Sequence, residues 1–214
     1  MYELLLQQLM DGTRQPSDPL NISALSKEFN VSQTPLREAL ARLEHSGLVH
    51  REALKGYFVA APFTLDEIVK LTETRLLLEP AIAREAALRR TPEFIKDLEA
   101  TVVLLADVAN GADSSTTAFS QYWSADDRFH NLIAMQSGNP FLQRTYEFLS
   151  AQVQRFRLFS KMGNTGAGAA AEEHRRVLIA LASGDGDAAA EAMREHVELA
   201  CQRALRRADS ADAE

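Results

Sequence analysis

Four side chains in the second half of the chain could together bind a metal ion. Asp126 and His130 are four positions apart, so on a helix they lie on the same face. His174 and His196 follow on later segments, each beside apolar residues. Three imidazoles and one carboxylate suit a borderline divalent ion such as zinc or nickel. From spacing alone, three unrelated surface or half-buried histidines remain the favoured alternative, because ligands on separate helices cannot be placed without a fold.

A second group of polar side chains has the types and positions that read DNA. Ser32 is placed to cap a helix predicted over about residues 33–46, with Pro35 in its first turn. Arginine and glutamine make bidentate hydrogen bonds to guanine and adenine, and serine, threonine and the helix N-terminus bind phosphate. The apolar face of this helix consists of Leu36, Ala39, Leu40 and Leu43. The candidate DNA-binding residues are Ser32, Gln33, Thr34 and Arg37, together with Lys55 and Gly56 at the tip of a hairpin.

Two different units must position these side chains. Three short helices followed by two β-prone runs around Lys55-Gly56 predict a winged helix-turn-helix, whose second turn helix enters the major groove. Pro62 interrupts the chain, and Thr64 with Glu67 opens the next helix as a capping box. The rest of the chain predicts six helices without strands, typical of an all-α bundle.

The predicted fold class is therefore mainly α, with an N-terminal winged helix-turn-helix, a small β-hairpin wing and a C-terminal all-α helical bundle. The helices are predicted at about residues 2–11, 22–29, 33–46, 65–90, 92–109, 117–137, 140–161, 169–183 and 187–207. The predicted domains are a DNA-binding domain over 1–62, a linker over 63–66, the helical domain over 67–208 and a tail over 209–214.

The net charge of the whole chain disfavours DNA binding, but the distribution of charge along the chain is compatible with it. The 214 residues carry a net charge of -7, which by itself disfavours nucleic acid. Residues 1–62 contain six Lys and Arg against seven Asp and Glu, so this part is close to neutral at -1 and the rest carries -6. Its cations include Arg37, Arg42, Arg51 and Lys55, on the helix and wing that would face DNA. So few phosphate contacts predict weak, salt-sensitive binding by one copy, and hence a dimer on a palindromic site.

The expected location is the cytoplasm. One cysteine excludes a disulfide framework. No apolar run approaches the roughly 20 residues that a membrane span needs. The first stretch has neither the basic start nor the small-residue cleavage site of a secretory signal.

The run from Val31 to Leu40, VSQTPLREAL, followed by Arg42-Leu43-Glu44 and Gly47-Leu48-Val49, resembles the DNA-binding domain of the GntR family of bacterial transcriptional regulators. The later helices resemble the FCD ligand-binding domain of the FadR subfamily. The resemblance implies a homodimeric regulator, repressor or activator, whose DNA affinity is set by a small molecule. Ser32, Arg37 and Gly56 match the family's DNA-contacting positions. Gln33 stands where the family usually has arginine, and an amide favours adenine over guanine, so the usual operator half-site is in doubt.

The same resemblance favours a metal site over three unrelated histidines. Asp126, His130, His174 and His196 match, one for one, the Asp-x-x-x-His pair and two later histidines around the metal of many FCD domains. Arg75 looks like the subfamily's recurring arginine, which could clamp an effector carboxylate bidentately. The alternative for Arg75 is an ion pair with Glu79 at i+4, and the two interpretations are not exclusive. Asn139, at a break between helices, is predicted to line the pocket or to cap a helix.

Three functions compete on this sequence. The favoured one is a regulator that binds an operator, a divalent metal and a small carboxylate, and is not an enzyme. The second is a metal-dependent enzyme acting on a small carboxylate, because three histidines and an aspartate also occur in catalytic centres. The third is a DNA-binding protein whose helical domain serves only for dimerisation.

Overall fold

The computed structural model describes residues 1–111, 116–159 and 166–211. Across these residues the chain is mainly helical with one small sheet, so the predicted fold class is confirmed. The helices are α1 (Tyr2–Met10), α2 (Ile22–Glu28), α3 (Gln33–His45), α4 (Leu65–Leu88), α5 (Pro92–Asn110), α6 (Thr116–Gln136), α7 (Pro140–Phe159), α8 (Ala167–Ser183) and α9 (Gly186–Ala211), and the strands are β1 (Pro19–Leu20), β2 (Val49–Glu52) and β3 (Gly56–Val59).

The chain divides into two compact units. One contains Met1–Phe63 together with the end of α7 from Ala151 onward, and the other contains Thr64–Ser150 with α8 and α9. The last helix runs to Ala211, inside the segment predicted as a tail, and residues 212–214 lie outside the described part of the chain.

The first unit is a three-helix core with a three-stranded antiparallel sheet. The apolar face of α3 is fully buried, as its periodicity predicts, and Asn21 caps α2 by accepting a hydrogen bond from the Ala24 amide at 3.0 Å. Strand β3 lies between β2 and β1. The sequence predicted only the hairpin of β2 and β3 and missed β1. A strand of two residues has no periodicity to read, and Pro19 is tolerated because β1 lies at the edge of the sheet.

The second unit is a bundle in which α4 packs against α9, and α5 packs against α6 and α8. Helix α4 begins with the predicted capping box: the Thr64 side chain accepts from the Glu67 amide, and the Glu67 carboxylate accepts from the Thr64 amide at 2.8 Å. The apolar core of the second unit includes Ile82, Leu98, Phe129, Val177 and Val197. Among the residues described, no helix has both the length and the hydropathy to cross a bilayer.

Candidate metal centre and DNA-reading helix

Helices α6, α8 and α9 bring the predicted metal ligands into one buried cluster. His130, His174 and His196 each offer a ring nitrogen, and these three atoms lie within 4.8 Å of one another. The carboxylate of Asp126 lies 3.5 Å from His174 Nε2 and 3.9 Å from His130 Nε2. All four side chains are at most 3% exposed. The spacing argument for Asp126 and His130 on one face of α6 agrees with this arrangement.

A buried acid from α4 stands behind His130. Glu79 Oε2 lies 2.8 Å from His130 Nδ1, on the side of the ring away from the cluster. Glu79 Oε1 accepts a hydrogen bond from Arg75 Nε at 2.5 Å. Burial raises the pKa of Glu79, but the charges of Arg75 and His130 outweigh burial and hold this pKa well below its usual range. The carboxylate of Glu79 is therefore ionised at neutral pH.

A second buried acid stands behind His196 in the same way. Glu173 Oε2 lies 2.9 Å from His196 Nδ1, and Arg203 donates to both oxygens of Glu173, with Nη2 2.8 Å from Oε2. Burial, together with the charges of His130 and Arg75, holds the pKa of His196 well below its usual value. His196 is thus neutral at pH 7, and beside a carboxylate its one proton belongs on Nδ1, which leaves Nε2 as a lone-pair donor.

The third ring is held by an aromatic neighbour. His174 stacks on Phe129 with ring centroids 3.9 Å apart and planes 6° from parallel. Its ring stands nearly perpendicular to that of His130, at 79°. Stacking sets the ring plane, and so the direction in which its nitrogens point.

The donor set fits a divalent cation. The Nε2 atoms of His130 and His196 face each other at 3.2 Å, and two nitrogen lone pairs at this distance repel unless a proton or a cation lies between them. Two imidazoles bound to one zinc ion at about 2.0–2.1 Å and a tetrahedral angle have nitrogens about 3.3–3.4 Å apart. Neutral imidazoles with a carboxylate on the outer nitrogen are also the usual arrangement of metal-bound histidine.

The two predicted effector-binding residues have other contacts in this structure. Arg75 is 7% exposed and makes the ion pair with Glu79 that the sequence left open. Asn139 is the residue immediately before α7, and its Oδ1 accepts hydrogen bonds from the amides of Phe141 and Leu142 at 3.0 and 3.3 Å. This is the capping role, one of the two predicted for Asn139. Contact of either residue with an effector stays a prediction.

In the first unit, the start of α3 presents the predicted DNA-binding residues to solvent. Ser32, Gln33, Thr34 and Arg37 are all exposed. Ser32 occupies the N-cap position as predicted, but its side chain makes no capping hydrogen bond. Its hydroxyl is therefore not committed to the helix end and can face a phosphate.

Gln33 links Arg37 to the preceding helix. Arg37 Nη2 donates to Gln33 Oε1 at 3.2 Å, and Gln33 Nε2 donates to Ser23 Oγ at 3.3 Å. Gln33 thus orients the neighbouring Arg37.

The wing tip also has the predicted composition. Lys55 is exposed, and its ammonium lies 2.8 Å from Glu52 Oε2. Gly56 has φ +101°, a conformation that favours glycine, and a side chain there would meet nothing within 4 Å. The backbone of Gly56 can therefore be approached closely by another molecule.

Sequence reasoning noted Glu79 only as an ion-pair partner of Arg75 and assigned no role to Glu173 or Arg203. A signal for Glu173 and Arg203 existed. Glu173 lies three and four positions from Ala170 and Val177, both buried, so it falls in the apolar stripe of α8. Arg203 follows His196 by seven residues, which places both on one face of α9. A charged residue inside an apolar stripe indicates a buried partner.

These features define a class of protein: a winged helix-turn-helix joined to a helical domain that encloses a histidine cluster, the organisation of a DNA-binding regulator. Residues 1–59 match the family of bacterial regulatory proteins named gntR, and residues 70–199 match the FCD domain. The chain belongs to the GntR regulators that carry an FCD domain, as the resemblance in its sequence predicted.

Known proteins agree with this assignment over nearly the whole length. The HTH-type transcriptional regulator BphR of Paraburkholderia xenovorans is 28% identical over 202 residues, covering 92% of this chain and 80% of BphR. The transcriptional repressor RspR of Escherichia coli is 26% identical over 198 residues, covering 92% and 84%.

Two solved structures show the same fold. A GntR regulator from Rhodococcus superposes with a TM-score of 0.75 at 20% identity and covers 95% of each chain. The metal-free FCD domain of the regulator TM0439 superposes with a TM-score of 0.55 at 18% identity, covering 70% of this chain and 99% of that domain.

Proposed function

We propose that the protein is a ligand-responsive bacterial transcriptional regulator of the FadR subfamily. It binds a palindromic operator as a homodimer and holds one divalent metal and one small organic acid in its helical domain. It acts in the cytoplasm, where its operator is. The observation that carries this proposal is the meeting of Asp126 with three histidines from three helices, in a chain that also has a solvent-facing recognition helix.

Four residues would hold the metal: Asp126, His130, His174 and His196. Histidine-rich ligand sets of this kind favour zinc or nickel. A divalent cation held there would supply a positive centre that attracts an effector carboxylate. The chain's own part is to fix the imidazoles in place and to keep His196 neutral, because a protonated ring cannot be a ligand. Burial of the cluster and the lowered pKa of His196 support this.

The DNA-binding part rests on the exposed start of α3 and the wing tip. Arg37 and Gln33 would contact base edges, Ser32 and Thr34 would contact phosphates, and Lys55 with Gly56 would reach the neighbouring backbone or groove. The near-neutral charge of residues 1–62 supports a dimer, because two copies double a small number of phosphate contacts.

Regulation requires that the effector bind two conformations of the protein with different affinity. Arg75 and Asn139 are the proposed effector-binding residues, and Arg75 could turn part of its hydrogen-bonding capacity to a carboxylate. Repression is the proposed sense of regulation, by analogy with the relative RspR, whose name calls it a repressor.

One experiment tests metal and DNA together. The full chain is purified and used to select sites from a randomised duplex DNA library, and its metal content is measured by inductively coupled plasma mass spectrometry. We expect a palindromic selected site, a bound dimer, and loss of binding in Arg37→Ala. We also expect that His174→Ala lacks the metal. Selection of no palindrome, or binding by Arg37→Ala equal to that of the wild type, would contradict the DNA-binding proposal.

A further inference from the structure

Two arginine–glutamate pairs with buried carboxylates stand behind two of the histidines, and this repeated arrangement carries a further inference. We propose that Glu79 and Glu173 are positioning residues for the metal. Each accepts the Nδ1 proton of one histidine, aims the opposite Nε2 of that ring at the shared centre, and is itself anchored by an arginine. The inference rests on the proposed metal site and assigns to these carboxylates much of its affinity.

The two pairs are similar in composition but come from different helices, and they differ in geometry: Glu173 and His196 share a hydrogen bond, whereas Glu79 and His130 are within ion-pair distance without hydrogen-bond geometry. In the first, Arg75 Nε lies 2.5 Å from Glu79 Oε1, and Glu79 Oε2 lies 2.8 Å from His130 Nδ1. In the second, Arg203 donates to both oxygens of Glu173, and Glu173 Oε2 lies 2.9 Å from His196 Nδ1. In both, the carboxylate contacts the ring nitrogen that points away from the other histidines. The geometry therefore leaves Nε2 of both rings facing the centre, at 3.2 Å from each other.

The arginines account for the presence of charge at these positions. Glu79 is 2% exposed and Glu173 is 4% exposed, and a charged side chain at such depth needs a partner of opposite charge. The guanidinium beside each acid supplies that partner and fixes the orientation of the carboxylate by charge-assisted hydrogen bonds.

A carboxylate acceptor also strengthens the ligand. A hydrogen bond from Nδ1 to a carboxylate increases the electron density at Nε2 and fixes the tautomer, and loss of such a partner typically weakens metal binding about 10–100-fold. His174, in contrast, is oriented by its stack on Phe129. We therefore expect the rings of His130 and His196 to respond to a change at Glu79 and Glu173, respectively.

The test measures zinc affinity on the full chain, stripped of metal and titrated with zinc against a chromophoric chelator. Glu79→Gln and Glu173→Gln keep the size of the side chain and an oxygen acceptor but remove the charge. We expect each to bind zinc about tenfold more weakly, and Glu173→Ala about 100-fold more weakly. The matched control is Glu172→Gln: Glu172 is the neighbour of Glu173 on α8, but its side chain is 66% exposed, and its affinity should equal that of the wild type.

A second readout separates positioning from general damage. In long-range proton–nitrogen NMR spectra of the zinc-loaded wild type, His196 should carry its proton on Nδ1, and Glu173→Ala should reduce that population. A merely structural role for Glu173 would lower the melting temperature of the metal-free protein without moving this signal. Arg203→Met should weaken zinc binding. Arg203→Lys, which keeps a charge beside Glu173, should retain most of the wild-type affinity.

The outcomes separate this inference from the proposed metal site. Suppose that the wild type binds zinc, that binding depends on His174, and that the zinc Kd of Glu79→Gln, Glu173→Gln, Glu173→Ala and Arg203→Met lies within about threefold of the wild-type value. The positioning role is then wrong and the metal site stands. If the wild type itself binds no zinc, both are wrong. If Glu79→Gln does not fold, the Glu173 and Arg203 variants decide the question, since Arg203 is partly solvent-exposed.

Discussion

Replacing Arg75 by methionine should destabilise the helical unit far more than the same change at an exposed ion pair of the same helix. Arg75 and Glu79 are four residues apart on α4, with side chains 8% and 2% exposed and 2.5 Å between Nε and Oε1. Lys70 and Asp66 have the same spacing on α4 and the same separation of 2.5 Å, but their side chains are 67% and 71% exposed. The two pairs thus differ chiefly in burial.

The expected magnitudes follow from that difference. Removing one partner of a buried ion pair leaves an uncompensated charge and costs about 3–5 kcal/mol. Glu79 would retain its contact with His130. An exposed pair contributes about 0–1 kcal/mol because water solvates either charge. Arg75→Met should therefore cost several times as much as Lys70→Met, and the double variant Arg75→Met/Glu79→Gln should recover part of the loss because no buried charge remains.

The assay is urea unfolding of metal-stripped protein, followed by tryptophan fluorescence. Trp123 is the one tryptophan of the chain and lies on α6, the helix of Asp126, so it reports on the helical unit. Equal free energies of unfolding for Arg75→Met and Lys70→Met would refute the argument that a buried charge pair supports Glu79. A double variant less stable than the single one would refute it as well.

Four further predictions concern the DNA-reading helix, the start of α7 and pH. Arg37→Ala should lower affinity for the selected operator by about 1–3 kcal/mol in fluorescence anisotropy, and unchanged affinity would exclude Arg37 from the interface. Gln33→Ala should relax specificity at the base pair that Gln33 contacts and, because Gln33 holds Arg37, at the base pair that Arg37→Ala affects; unchanged specificity at both would exclude Gln33 from the interface. Asn139→Ala should cost about 1 kcal/mol as a lost cap, measured as a fall in melting temperature that is equal with and without a carboxylate ligand; a larger fall in the presence of ligand would instead support effector contact. The pKa of His196 is lowered in the folded state, so below the ordinary histidine pKa of about 6.5 the unfolded chain binds more protons than the folded chain. The metal-free protein should therefore lose stability as the pH falls through that value. In His196→Phe, the free energy of unfolding measured in urea should depend less steeply on pH.

The fold was accessible from sequence because its elements carry strong local signals. The apolar face of α3 repeats at i, i+3, i+4 and i+7, and the box of Thr64 and Glu67 marks the start of α4. Strand β1 had no comparable signal, since it is two residues long and is held in place by pairing with β3. Local patterns identify elements that stabilise themselves, whereas an element that depends on a distant partner needs the fold.

The candidate metal site shows the same limit. Spacing placed Asp126 and His130 on one face, but the approach of His174 and His196 depends on how three helices pack, and only the family resemblance suggested it. Glu79 was noticed solely as a partner of Arg75. Its contact with His130 joins α4 to α6, and no pattern within either helix contains that information.

The central claim is that this regulator holds a divalent metal on Asp126, His130, His174 and His196. The most direct test is the metal content per chain of purified wild type and His174→Ala, each equilibrated with zinc and nickel and then freed of excess metal. The account predicts about one equivalent in the wild type and almost none in a folded His174→Ala. No metal in the wild type, or equal metal in both proteins, would contradict it.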